Sequence, residues 1–313
     1  MGITRYFSYG EEATFGTPAL AVETIDPESA ELDPSGDQAL IYEGVSRLDR
    51  TVAPAFYRSE GSLSTPVDLT AFAWFLKWAL GGYTVTGTAP SFTHHFFPEQ
   101  SALMKSFTAR VGKDVFEHIF TGCVVDSLSL ELDDGFFVGS VDIAGGADQK
   151  GTLQANPTFT QGEIYAPHQV TAEINGVDES ATIEKLSIKI ETGADNEAGR
   201  TIGSRFPRRA YRGAFSVEIE LGLSFFSTMQ LERFWGTATG PSTNKLTEID
   251  TVIHVGDNMD ILIPRAVYTA MSQPLSGRDR IEQTATIRAL VKADGTGPIE
   301  FSITNNKASY TPV

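Results

Sequence analysis

Val125-Asp126-Ser127-Leu128-Ser129-Leu130-Glu131-Leu132-Asp133, followed by Asp134-Gly135 and a return from Phe136 to Ala144, decides the fold class. Leu128, Leu130 and Leu132 alternate with Ser127, Ser129, Glu131 and Asp133. In an extended chain, successive side chains point to opposite faces, so this segment has one apolar face and one acidic face. Asp134-Gly135 supplies turn chemistry, and residues 124–144 are predicted to form a β-hairpin.

The same period-two pattern recurs at Ser106–Val111, Val115–Gly122, Ile183–Glu191, Phe215–Leu223, Thr251–Val255, Asp260–Pro264, Glu282–Lys292 and Ile299–Ile303. Two segments break it. Leu69–Leu80 carries Phe72, Phe75, Leu76 and Ala79 at helical spacing and stops at Gly81-Gly82; Ser227–Trp235 carries Met229, Leu231 and Phe234 before Gly236. Each predicts one short helix. Asp26–Thr51 and Thr192–Ala210 are rich in Gly, Pro, Asp, Ser and Arg and read as long loops or loosely formed hairpins, a length that tends to serve function.

With 313 residues the chain is long enough for two domains, each burying its own core. The single cysteine, Cys123, excludes an intramolecular disulfide framework, and no apolar run is long enough to span a membrane as a helix. The N-terminus lacks the basic stretch and apolar block of a secretory signal, so the product is expected in the cytosol when made. Asp and Glu number 40 against 24 Lys and Arg, for a net charge of −16, which argues against affinity for a nucleic-acid backbone.

The two halves share an order of landmarks. Ser46-Arg47, Tyr57-Arg58, a strand, a helix ending at Trp78 and then Val111-Gly112 are followed by Ser204-Arg205, Tyr211-Arg212, a strand, a helix ending at Trp235 and then Val255-Gly256. The matched tyrosines, tryptophans and valines lie 154, 157 and 144 residues apart, so the order persists while loop lengths drift. This predicts a duplicated β-domain, with boundaries near 1–165 and 166–313. A duplicated chain in a closed ring presents twice as many similar domains as it has copies.

Several segments carry a resemblance. Glu12-Ala13-Thr14-Phe15-Gly16-Thr17-Pro18 looks like the N-terminal signature of the phage tail-tube proteins of siphoviruses, the long, duplicated type. The block from Gly61-Ser62-Leu63 through Phe75-Leu76-Lys77-Trp78-Ala79-Leu80-Gly81, the segment Ser91-Phe92-Thr93-His94-His95-Phe96 and the run from Thr121 to Leu130 continue it in order across most of the chain. The resemblance implies a mainly β fold: two tandem, pseudo-repeated antiparallel sandwich or barrel domains, each flanked by one short helix. It also implies trimeric, pseudo-hexameric rings stacked into a hollow tube in the virion tail. The implied partners are further copies, the tail terminator, tape measure and distal tail proteins, and double-stranded DNA in transit; no membrane and no cofactor is implied. A distal tail or baseplate hub protein of the same fold remains an alternative, as does a carbohydrate-binding or glycoside-hydrolysing sandwich.

Three sets of residues are candidates for function. Glu131, Asp133, Asp142, Glu218 and Glu220 form an acidic strand face, which in a tube lumen would repel the phosphate backbone and let DNA pass. The first long loop carries Glu28, Glu31, Asp33, Asp37 and Glu43, and its counterpart carries Arg200, Arg205, Arg208 and Arg209; complementary charge there would set register across a ring or subunit boundary. Phe72, Trp74, Phe75, Trp78, Phe225, Phe226 and Trp235 crowd on and beside the two helices, where part of the apolar surface is expected to be contact between copies. Adjacent His94 and His95 point to opposite faces of a strand and cannot chelate one metal, and Cys123 reads as a buried strand thiol. The sequence has no Walker or dinucleotide glycine loop, no nucleophile elbow and no zinc-ligand spacing.

Overall fold

The computed structural model describes residues 4–35, 39–43, 45, 49–160, 162–244, 246–275 and 280–311. The first half contains β1 (Arg5–Glu11), β2 (Glu23–Ile25), β3 (Ser29–Ser35), β4 (Ala39–Glu43), β5 (Asp49–Pro54), β6 (Arg58–Pro66), α1 (Ala73–Leu80), β7 (Gly81–Thr88), β8 (Ser91–Pro98), β9 (Phe107–Lys113), β10 (Phe116–Leu132), β11 (Val138–Gly145) and β12 (Ala147–Gly151). The second half contains β13 (Val170–Ile174), β14 (Val177–Asp178), β15 (Ile183–Glu191), β16 (Ser216–Ser224), α2 (Met229–Trp235), β17 (Glu248–Val255), β18 (Met259–Ser272), β19 (Glu282–Ala289) and β20 (Glu300–Asn305). The hairpin read at 124–144 is the β10–β11 pair, with Leu128 opposite Val141. The two strands read at 115–122 and 125–133 are one strand of 17 residues. Gly122 at φ +65° and a bulge between Val125 and Ser127 interrupt the alternation without ending the ladder.

One long antiparallel sheet runs through both halves in the order β3-β6-β11-β10-β15-β16-β19-β18. β10 and β18 also enter flanking sheets with their first halves. β2-β1-β9-β10-β12 forms one, and β14-β13-β17-β18-β20 forms the other, extended by the hairpin β8-β7. The two sets match strand for strand, and the bulge of β10 has its counterpart between Tyr268 and Ala270 of β18. This is the duplicated, mainly β fold that the landmarks predict. Each long strand passes from a flanking sheet into the long sheet, and the bulge falls where it does so.

The core lies between the long sheet, the flanking sheets and the helices. Asp68 orders the turn that leads into α1: its Oδ1 accepts the amides of Thr70 (2.6 Å) and Ala71 (2.9 Å). All eight residues of α1 are buried, and Trp78 stacks on Phe107 with ring centroids 4.2 Å apart. A Cβ at Gly139 of β11 would meet the Phe72 ring at 2.2 Å, so only glycine lets the start of the helix approach the sheet this closely. The carboxylate of Glu11 takes Lys77 Nζ at 2.5 Å and Trp78 Nε1 at 2.9 Å, pairing the one buried cation of the helix. Tyr310, wholly buried, closes the top by donating to Thr70 O at 2.9 Å and packing edge-on against Trp74.

In the second half, α2 ends at Gly236, whose left-handed φ of +78° lets its amide bond to Glu232 O at 2.7 Å. Only Gln230 of this helix is buried.

Candidate functional site

The expected acidic residues share one surface. Glu131, Asp133, Asp142, Glu218 and Glu220 are all exposed and lie on the face of the long sheet opposite the leucines and isoleucines of the core. Register brings them together in rows across the strands. One row runs Glu31, Ser62, Asp142, Ser127, Glu191, Ser216; the next runs Ser64, Ser140, Ser129, Lys189, Glu218, Arg288. Glu131, Ser187, Glu220 and Thr286 form a third. Serines and threonines stand among the carboxylates of this face.

Its cations were not singled out from the sequence, although Lys185 and Lys189 stand on the polar parity of the predicted strand 183–191. Lys185 pairs with Asp133 at 2.8 Å, Lys189 with Glu191 at 3.0 Å and Arg288 with Glu218 at 3.7 Å. These pairs are exposed and screened by solvent, so they add little to stability. At the β3 end of the face the carboxylates crowd a cleft of about 680 Å³ lined by Glu31, Asp33, Glu60, Asp126, Asp142 and Glu197. Burial, followed by the charges of Asp142, Glu60 and Glu191, pushes the Asp126 carboxyl above its ordinary range.

The two charged loops need correction in part. Glu31 and Asp33 sit on strand β3 rather than in a loop, and Asp33 pairs with Lys113 at 3.1 Å. The strand was hidden because only Leu32 of its seven residues is buried. Glu28 is exposed just before that strand, Glu43 ends the exposed strand β4, and Asp37 lies outside the described residues, as does Ser46-Arg47. The arginine segment 192–215 is irregular, as expected, and it folds back onto the first half. Arg205 Nε donates to Ala55 O at 2.8 Å, and Arg200 lies over the Phe56 ring at 4.3 Å. Arg58 meets Glu197 at 2.7 Å. Arg208 and Arg209 are exposed, the latter 6.0 Å from the centroid of the Tyr211 ring.

The helix aromatics divide. Phe72, Trp74, Phe75 and Trp78 are sealed in the core, so the expectation that they contribute contact between copies does not hold for these four. Trp235 is half-buried, while Phe226 is 81 % exposed. Burial of Trp74 and Trp78 also removes the aromatic platform that a sugar-binding cleft would need. His94 is buried between Tyr83 OH and Asn305 Oδ1, each 3.0 Å away, whereas His95 turns to Ser302 Oγ at 2.9 Å. Cys123 is buried, and burial pushes its thiol well above the ordinary value. Among the described residues, no group of three or more His, Cys, Asp or Glu side chains could hold a metal ion.

The chain is thus a duplicated, mainly β protein with an acid-rich polar face on one continuous sheet. A family model for phage tail tube proteins matches residues 2–289, and the chain belongs to that family. No curated protein matches the chain. Membership makes it a non-catalytic structural protein of the virion, a subunit of the tail tube through which the viral genome passes, assembling with other tail proteins.

Proposed function

We propose that three copies close into a ring by continuing the long sheet from chain to chain, with the acidic face inward, and that rings stack into the tube. The observation that carries this reading is the β10–β15 seam. Beyond its bulge, β10 pairs along Ser127–Leu132 with β15 of the second half. The equivalent stretch of β18, from Ala270 onward, has no strand on that edge among the described residues, and neither has the outer edge of residues 29–34 in β3, the equivalent of β15. Matching the two bulges and the two β-ladders sets Leu275 opposite Ala30 of the next copy. Leu275 is 83 % exposed in the single chain, as an unmade seam requires.

Strand spacing supports three copies. Each chain supplies eight strands, so three supply twenty-four. At about 4.8 Å per strand and a tilt of about 40°, these enclose a bore of roughly 35–40 Å after side chains are allowed for; two copies leave roughly 20 Å. Three is therefore the smallest ring with clearance for a DNA duplex. An inward face of carboxylates and serines repels phosphates, so the genome slides without being held. Synthesis in the host cytoplasm, a domain boundary near 165, and tail terminator, tape measure and distal tail proteins as end partners complete the reading.

Negative-stain electron microscopy with mass photometry across concentration and salt tests the ring. Species of three-chain mass or hollow tubes are expected, and a single-chain mass under every condition refutes the self-closing sheet. The inward face has its own test, Glu218→Lys with Glu220→Lys. Tubes of this variant should retain labelled duplex DNA at low salt; normal tubes that retain none would put that face outside.

A further inference from the structure

The cleft at the β3 end of the acidic face differs from the rest of that surface: it is walled, and it holds polar groups that the chain itself does not satisfy. Its floor is β3, β6 and β11, with Asp126 at the bulge of β10, and its side is the turn at 194–197. Seven carboxylates line it against one guanidinium, that of Arg58. Arg58 meets Glu60 at 3.0 Å and Glu197 at 2.7 Å, and Asp33 turns to Lys113. Among the described residues, Glu31, Asp126, Asp142 and Asp195 meet no cation at ion-pair distance.

Two neutral side chains point to an occupant. Asn196, only 7 % exposed, lines the cleft with both its Oδ1 and its Nδ2 unpartnered, and Ser59, 1 % exposed, lines it with an unpartnered Oγ. Buried polar groups are ordinarily hydrogen-bonded, because an unmet one has given up its hydration for nothing. Asn196 precedes a single 3-10 turn, Glu197–Gly199, and its side chain makes no capping bond there.

Spacing and charge say what would fit. Glu31 and Asp142 stand two strands apart, about 10 Å across the sheet. Among the described residues, no three acidic or histidine side chains converge as a metal ion requires. A charge concentrated at one point is therefore a poor match. Ammonium groups strung along a methylene chain meet carboxylates spaced in this way, donate to Asn196 Oδ1 and Ser59 Oγ, and lay their carbons on the half-buried Ala144 and Ala194.

We infer that this cleft is a binding site for a linear polyammonium ion of the spermidine class. The bound ion relieves the repulsion among the carboxylates, already felt at Asp126, and ties the 194–197 turn of the second half to β3, β6 and β11 of the first. The site is complete within one chain, so it stands or falls apart from the ring reading.

Isothermal titration calorimetry of the full chain with spermidine tests it. One ion per chain is expected, and Asp126→Asn with Asp142→Asn should weaken binding about tenfold or more. Glu131→Gln with Glu220→Gln removes the same charge from the same face outside the cleft and should change affinity by no more than about twofold. Asn196→Ala leaves the net charge untouched and should weaken binding by about threefold to tenfold. Equal losses from the two charge-matched pairs, or no loss from Asn196→Ala, would mean a diffuse ion atmosphere and overturn the site, as would the absence of binding heat. Magnesium titrated alone should give no one-to-one isotherm; one that the cleft variants abolish would assign the site to a hydrated metal ion and overturn the inference.

Discussion

The two helices occupy equivalent places, each following a strand of the long sheet, β6 or β16, and they have opposite surroundings. Every residue of α1 is buried, whereas α2 buries only Gln230. The difference lies in what covers them. Over α1 come the β7–β8 hairpin and the C-terminal Tyr310; among the described residues of 236–247 no hairpin takes that place in the second half. Both helices are nonetheless tied down by a buried ion pair, Lys77 with Glu11 and Arg233 with Glu179 at 2.8 Å, although the carboxylates come from different elements, the end of β1 and the residue after β14. Each half thus has its own anchor, and only the first has the roof. One half became the rigid centre of the chain, and the other kept surface to spare.

Truncation of the tryptophans should show the largest effect. Trp74→Ala is expected to cost about 3–5 kcal/mol as a large cavity in the core, and Trp235→Ala about 1 kcal/mol or less. Denaturant unfolding of the two variants measures both, and equal losses would erase the contrast. The anchors should behave alike: Glu11→Ala and Glu179→Ala each leave a buried cation unpaired and should cost about 3 kcal/mol. A loss confined to Glu11→Ala would mean that the second anchor is relieved by water.

The smallest effect is expected from pH. His94 sits in the roof over α1, and burial holds its pKa below the ordinary 6.5, helped by the charges of His95 and Lys307. The unfolded chain then binds a proton that the native chain refuses. Stability from the neutral ring is complete above pH 6.5 and is lost as pH falls from there toward the depressed value. Amide exchange at Trp74–Leu80 should quicken between pH 7 and pH 5 relative to Gln230–Trp235. His94→Gln should abolish that pH dependence, and its persistence would point to another group.

Strands with one wet face were legible in the sequence. The β10–β11 hairpin, β15 and the acidic strand face all follow from simple alternation, and the glycines at 81 and 236 end the helices where they were read. Strands covered on both sides or on neither were not. In β1, five of seven residues are buried, so no period appears, and in β4 no residue is buried. β8 finds its partner β20 some two hundred residues away, a pairing to which local pattern is blind. The helix aromatics misled for a related reason. Their number suggested surplus surface, but the roof that consumes it comes from β7, β8 and the C-terminal segment, distant parts of the chain whose arrival no local window reports.

Joining the two halves in one chain has a further consequence for assembly. In the proposed ring, the β10–β15 seam forms within a molecule, at an effective concentration on the order of millimolar, however dilute the protein. Only the seam between β18 and β3 responds to dilution. Every second joint is thus complete before any encounter, and the remaining joints are all alike. A factor that starts or stops tube growth within a ring need recognise only one kind of strand edge, and occupying it once leaves the whole circle open.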